Sequence, residues 1–346
     1  MPTDASRADD RPLQGAPTDG ASADVGTAGM NEIADARGRL ELMRREVMRV
    51  FIGTSRVSDL LLTALLAKGH VLLEGVPGIA KTTLAKAFAA SLGCSMRRIQ
   101  FTPDLLPADI TGTYVLSPRD GTFSLRAGPV FANVVLADEI NRAPAKTQSA
   151  LLEAMQEQQV TIEGECYRLP KPFLVVATQN PIDLEGTYPL PEAQIDRFLI
   201  RVAIGYPAHR EEVAMLRAHN VAAPRANPVL SSADVESLQS VASRVHIEDD
   251  LFEYAVNLTG FTRIHPKVVL GASPRATLGL VRAAKGAAVI AGRNYVTPDD
   301  LRSLAGPVLA HRFIMVPEVE GDERVREAVV EEALTKISYR REVRAT

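Results

Sequence analysis

The stretch from His70 to Ala90, HVLLEGVPGIAKTTLAKAFAA, runs from an apolar segment through a Gly/Pro turn into an amphipathic segment headed by Lys81. No other stretch limits the fold as much. A short, wholly apolar run bounded by such a turn predicts a strand buried on both faces, and the segment after it predicts a helix packed back onto that strand. A strand of this kind needs parallel neighbours with helices covering both sides of the sheet. Further apolar runs at 97–101, 134–138, 173–178 and 198–203, separated by helical or turn-rich segments, supply those neighbours for the strand at 70–74.

The turn itself has chemistry. In GVPGIAKT the residues Gly75, Val76, Pro77, Gly78, Ile79 and Ala80 join the strand to Lys81 and Thr82, with Thr83 one place further along the helix. Successive backbone N–H groups and a helix N-terminus bind phosphate oxygens, a lysine there neutralises terminal phosphates, and a hydroxyl beside it ligates Mg²⁺. Ala80 stands where the usual pattern has its last glycine. The plainer alternative is a turn that only links a core strand to a core helix.

Other strand ends extend the pattern. NVVLADEI closes an apolar run with Asp138 and Glu139, suited to holding Mg²⁺ through water and to polarising an attacking water. FLVVATQNP ends at Asn180, a neutral amide able to orient that water; as an isolated feature Asn180-Pro181 would be a turn. Arg197, in LPEAQIDRF, and Arg275, in the first turn of a helix opened by Ser273-Pro274, are candidates for a guanidinium on the γ-phosphate, supplied in cis or in trans. Taken alone, each is an ordinary surface charge.

Along the 346 residues, positions 1–29 are rich in Ala, Asp, Gly, Thr and Pro and are expected to be a disordered leader. Amphipathic patterns predict helices over 30–51 and 57–67. Two intervals add β-like material that the strand-helix rhythm does not need: 109–130, with a hairpin turn at Arg119-Asp120-Gly121, and 159–173, with a turn at Glu163-Gly164. Beyond 207 helical patterns take over, with starts near His209, Ser231, Asp249, Ser273, Thr297 and Asp322, so an α/β domain over 30–207 followed by an all-helical one over 208–346 is expected. The basic end, Arg340, Arg341 and Arg344, is expected to be a solvated tail.

Composition removes several functions. Lys plus Arg number 39 against 42 Asp plus Glu, so no basic excess announces a nucleic-acid partner. Cys94 and Cys166 have neither paired spacing nor a nearby His, which fits a reducing compartment and opposes a metal cluster. No run of eighteen apolar residues occurs, so no membrane insertion is expected and a cytoplasmic location is.

LLEGVPGIAKT, LADEINRAPAKTQSALLEAMQE, ATQNP, LPEAQIDRF and GASPRA, in that order, closely resemble the MoxR family of AAA+ ATPases from about residue 30 to 315. The resemblance implies a P-loop αβα domain with a parallel sheet, a helical lid, and a homo-oligomeric ring, hexameric in that family, with ATP and Mg²⁺ at subunit interfaces. It assigns Lys81 and Thr82 to Walker A, Asp138 and Glu139 to Walker B, Asn180 to sensor 1, Arg197 to the arginine finger and Arg275 to sensor 2. By the same resemblance, 109–130 falls at the helix-2 insert and 157–172 at the pre-sensor-1 hairpin, and Ala80 is ordinary at its position. In VFIGTSRV, Thr54 and Ser55 depart from the Gln-Glu common in the adenine-contacting segment. Client proteins with a von Willebrand factor A domain are implied by the family, with cofactor insertion or complex maturation as the task. Two readings compete: a nucleic-acid motor, for which Arg119 and Arg126 leave room, and an ATP-gated scaffold, which the Asp138-Glu139 pair opposes.

Overall fold

The computed structural model describes residues 26–339 except 77–78, 120, 181–186 and 220–223. The leader up to residue 25, Pro77 and Gly78 of the phosphate loop, Asp120 of the first hairpin turn, Pro181, and Arg340, Arg341 and Arg344 lie outside the described residues.

The chain enters through α1 (Met30–Val50) and α2 (Ser55–Leu66). Then follow β1 (Val71–Glu74), α3 (Lys81–Ser91), β2 (Met96–Gln100), α4 (Pro107–Thr111), β3 (Gly112–Leu116), β4 (Phe123–Ala127), β5 (Val134–Asp138) and α5 (Ala145–Glu157). After β6 (Gln159–Ile162), β7 (Glu165–Arg168), β8 (Leu174–Gln179), α6 (Glu192–Ile195) and β9 (Ile200–Ala203), the helices α7 (His209–His219), α8 (Ser232–Ser243) and α9 (Asp249–Ile264) begin the second half. β10 (Val268–Leu270), α10 (Pro274–Ile290), α11 (Pro298–Leu309), β11 (Ile314–Met315) and α12 (Glu323–Lys336) complete it.

Five strands form one wholly parallel sheet in the order β2-β5-β8-β1-β9. Alternation along each strand divides the core in two. Val71 and Leu73 of β1, with Val134, Leu136, Leu174 and Val176, face α1, α2, α3 and the helices after 207. Leu72, Val135, Ala137, Val175 and Ala177 face Leu151, Leu152 and Met155 of α5. Each fully buried aliphatic side chain contributes about 1.5–3 kcal/mol, so a polar residue anywhere in these runs would strip one face or the other.

The predicted helix starts in the second half coincide with the observed ones. Ser231 accepts the backbone N–H of Asp234 at 3.2 Å, and Ser273 that of Ala276 at 3.4 Å. Pro274 and Pro298 each occupy a first-turn position, where the missing N–H removes no intrahelical bond. One feature went unpredicted: the helical half also contains an antiparallel ribbon, β10 with β11. Its strands are 3 and 2 residues long, too short to leave a periodic trace in the sequence.

Both intervals with extra β-like material are hairpins. β3 pairs with β4 and β6 with β7, each antiparallel and outside the main sheet. At the second, Glu163 and Gly164 have φ of 50° and 86°, the positive pair that a two-residue turn requires if its twist is to match its strands. Tyr114 of β3 and Tyr167 of β7 share a hydroxyl hydrogen bond of 2.5 Å that ties one hairpin to the other. Leu116 and Phe123, paired at the far end of the first hairpin, are exposed.

α1 touches both halves of the chain. It packs on α3, while at its start the backbone N–H of Ala28 donates to Arg244 C=O at 3.1 Å and Arg244 pairs with Glu32 at 2.5 Å. Arg39 of α1 also reaches Asp234 of α8 at 2.6 Å. The buried cluster on this side of the sheet is continuous across residue 207.

Candidate functional site

Parallel register brings four strand ends to one edge of the sheet. Glu74 lies level with Gln179, and Asp138 with Gln100. From β1 the chain crosses to the far edge at β2, returns through β5 and β8, and passes β1 to reach β9, so the loop after β1 sits beside the ends of β8 and β5 at the carboxyl ends of the strands, the usual ligand position in sheets of this kind. α3 begins there. A cleft of ≈ 530 Å³ at this edge is lined by Ala80, Lys81, Thr82 and Thr83 from the loop and α3, by Arg98, Gln100, Asp138, Glu139, Thr178 and Asn180 from the strand ends, and by Met215 and Leu216 of α7.

The loop leaves β1 at Gly75, where a Cβ would lie 2.3 Å from both Ile204 C=O and Ile79 Cδ1. Only glycine passes that point. Val76 follows at the loop's near end, and Ile79 anchors its far end by burying its side chain. Ala80 caps α3 in the left-handed region at φ 64°, the conformation that makes glycine usual here; the methyl group costs about 1 kcal/mol.

Lys81 Nζ donates to Gly75 C=O and, at 2.9 Å, to Gln179 C=O, and so spans the ends of β1 and β8. Thr82 Oγ1 lies 3.1 and 3.3 Å from the two Asp138 oxygens. Asp138 is buried, accepts Thr178 Oγ1 at 2.6 Å, and takes two donations from Arg98, 2.7 Å from Nη2 and 3.1 Å from Nε. Burial would raise its pKa, but the bonds from Thr178 and Arg98, the Arg98 charge and the Thr82 bond outweigh it and hold the group below the usual carboxylate range. Asp138 is therefore an anion at neutral pH.

Glu139 sits at φ 57°, a left-handed turn that swings its carboxylate out of the strand. Its backbone N–H donates to Thr178 Oγ1 at 2.9 Å, while its Oε2 accepts Gln100 Nε2 at 2.9 Å and pairs with Arg142 at 3.2 Å. Asn180 is buried at the end of β8, its carbonyl held by Asn141 Nδ2 at 3.1 Å. Behind the loop, Arg201 bridges Glu74 at 2.5 Å and Glu323 of α12 at 2.9 Å.

The structure thus brings together Gly75, Val76, Ile79, Ala80, Lys81, Thr82, Thr83, Asp138, Glu139 and Asn180. It does not bring Arg197 or Arg275 to this cleft. Arg197 is half-buried between α6 and β9, and Arg275 is exposed at the start of α10, near enough to Asp196 and Arg312 for its charge to act on both. Four neighbours of the acidic pair went unread in the sequence: Arg98, Gln100, Thr178 and Arg142. The signal for the first two was present, since two polar residues spaced i, i+2 at the end of a strand share one side of it.

The description "ATPase family associated with various cellular activities (AAA)" matches residues 70–200, and "AAA lid domain" matches 260–333. The chain is similar to YeaC of Bacillus subtilis, 46% identical over 84% of this chain and 92% of that one. It is 45% identical to Chaperone MoxR1 of Mycobacterium tuberculosis, over 85% of this chain and 80% of its relative. The chain belongs to the MoxR family of AAA+ ATPases. A solved structure of a candidate ATPase from Cytophaga hutchinsonii superposes with a TM-score of 0.83 at 39% identity, covering 90% of this chain and 98% of that one. As a MoxR-family AAA+ ATPase, the protein has the parallel αβα core and lid that the resemblance implied. Among the described residues no helix is long and apolar enough to cross a membrane.

Proposed function

We propose that this protein hydrolyses ATP with Mg²⁺ in a homo-oligomeric ring, a hexamer, and uses the cycle to remodel protein partners bearing a von Willebrand factor A domain. In this reading 30–207 is the ATPase domain and 208–346 the lid, and the work is cytoplasmic. The observation that carries it is the convergence of Lys81, Thr82, Asp138 and Glu139 on one cleft.

The donor set suits the cofactors. Mg²⁺ favours hard oxygen ligands and keeps several waters, being held by one or two protein groups together with substrate phosphates. Thr82 Oγ1 and Asp138, 3.1 Å apart, offer such oxygens. Among the described residues no group of three or more His, Cys, Asp or Glu forms an all-protein cage.

When bound, the nucleotide would supply the scissile phosphoanhydride and Mg²⁺ would screen its charge. Lys81 would offset the charge of the terminal phosphates at the head of α3. Thr82 and Asp138 would hold the metal. Glu139, an acceptor beside Asp138, takes the proton of the attacking water, and Asn180 orients that water. Arg197 of a neighbouring subunit and Arg275 of the lid stabilise the charge that develops on the transferred group.

The test uses Glu139→Gln, whose amide keeps shape but accepts no proton. It should bind ATP, hydrolyse none, and retain a purified von Willebrand factor A domain protein only when ATP is present. Near-normal hydrolysis would move the base elsewhere. Blocked hydrolysis without partner retention would remove the partner and leave the ATPase.

A further inference from the structure

Arg98 is the one charged side chain lining the cleft that the proposed chemistry does not use, and its geometry gives it a task. It stands at the middle of β2 and reaches Asp138 on the adjacent strand with two nitrogens, both on Oδ2, at 2.7 and 3.1 Å. Its Nη2 also donates to Gln100 Oε1, and Gln100 passes its own amide to Glu139. The Asp138 side chain is only 7% exposed whereas that of Arg98 is 44% exposed. A buried anion is thus covered by a cation at the solvent edge, on the oxygen that also lies 3.1 Å from Thr82 Oγ1.

A buried carboxylate is costly without a counter-charge. Arg98 provides it. A divalent cation brought to Thr82 and Asp138 carries more charge than the guanidinium and competes for the same carboxylate. We propose that Arg98 is a resident counter-cation of Asp138 which the metal must displace, so that it sets how strongly Mg²⁺ and nucleotide reinforce each other's binding. This rests on the reading of the cleft as a Mg²⁺-nucleotide site. Arg98 acts through Asp138 and is a positioning residue.

Displacing the guanidinium spends part of the metal's interaction with Asp138, so removing the guanidinium should strengthen the coupling. A partly exposed ion pair of this kind is weak, which makes the expected gain roughly three- to fivefold. A phosphate-binding arginine would act the opposite way, its removal weakening nucleotide binding with or without metal.

The experiment titrates the full chain with a fluorescent ADP in EDTA and at saturating Mg²⁺, for wild type, Arg98→Ala, Arg98→Lys, Asp138→Asn and the double variant Arg98→Ala/Asp138→Asn. No turnover is needed. The ratio of Kd in EDTA to Kd in Mg²⁺ should rise about three- to fivefold in Arg98→Ala, less in Arg98→Lys, and not at all when Arg98→Ala is added to Asp138→Asn. An unchanged or smaller ratio overturns the proposal, as does a rise that survives in the Asp138→Asn background. Equal weakening of Kd in both buffers overturns it in favour of a phosphate contact. Wild type that binds no fluorescent ADP would overturn the site reading as well; binding enhanced by Mg²⁺ but indifferent to Arg98 overturns this inference alone.

Discussion

Thr178 holds the two carboxylates in their places, and replacing it with valine isolates that task. The side chain is 1% exposed; its hydroxyl donates to Asp138 Oδ1 at 2.6 Å and accepts the Glu139 N–H at 2.9 Å. Valine has nearly the same shape, so no cavity forms, yet both bonds go. A hydrogen bond to a charged group contributes about 1.5–3 kcal/mol, and a buried N–H left without a partner costs about 1–3 kcal/mol. Asp138 keeps Thr82 and Arg98, so the lower part of each range applies and the total is about 3 kcal/mol. For a chain of 346 residues that lowers Tm by roughly 4 °C in a thermal melt followed by circular dichroism. Thr178→Ser retains the hydroxyl and should melt close to wild type. Because Glu139 also loses the anchor of its left-handed turn, turnover should fall by about tenfold or more in Thr178→Val. A valine variant melting within about 2 °C of wild type with full ATPase would refute the reasoning, since neither bond could then bear on stability or position.

Lys81→Ala should fold and bind no ATP in equilibrium dialysis, because no other described side chain bridges the ends of β1 and β8 as Lys81 does. Arg197→Ala should bind ATP and hydrolyse it poorly, and mixing it with Lys81→Ala should restore part of the activity where rings form; demonstrably mixed rings that stay inactive would confine Arg197 to its own subunit. Shortening the β3–β4 hairpin to a Gly-Ser turn should leave basal ATPase within a few-fold while weakening partner association, whereas loss of folding would make the segment structural. His70 gives a pH test. Burial pushes its pKa down to about 4, although the Nε2 bond to Met155 C=O works the other way. Between about 6.5 and 4 the unfolded chain takes up a proton that the folded chain refuses, so stability falls as pH drops through that window, by up to about 3 kcal/mol. His70→Gln should flatten part of that slope in urea melts at pH 4.5 and 7, leaving the share of His311, which burial also drives down.

The central strands were legible because β1, β5 and β8 are apolar runs with a polar or turn signal at their ends, and parallel strands buried on both faces leave little else to read; β2 and β9, which carry Arg97, Arg98 and Arg201, give a weaker signal. The same logic exposed Lys81, Thr82, Asp138, Glu139 and Asn180, all placed just past such runs. Helix starts were legible through local chemistry, as Ser273-Pro274 and Thr297-Pro298 show. What the sequence concealed depends on register between strands far apart in the chain. Arg98 meets Asp138 only because β2 pairs with β5, and Thr178 meets Glu139 only because β8 lies beside β5. The β10–β11 ribbon was hidden by its brevity, and the Tyr114–Tyr167 bond by the 53 positions that separate its partners.

α1 gives the molecule a clasp. The helix that opens the described chain is hydrogen-bonded to the segment after α8 and lies against α3, the helix headed by Lys81. Covalent order and spatial order therefore disagree: the backbone between β9 and α7 joins the sheet to the later helices, and noncovalent connections run beside it through α1, through α2 against α10, and through Arg201 with Glu323. A fragment that begins at α7 would leave Arg244 without Glu32 and a large apolar face without its cover, whereas a fragment that ends at β9 would present that cover ready-made. Two such pieces are complementary by construction, and the seam between them is where this chain can be split for reassembly or reconnected in a new order.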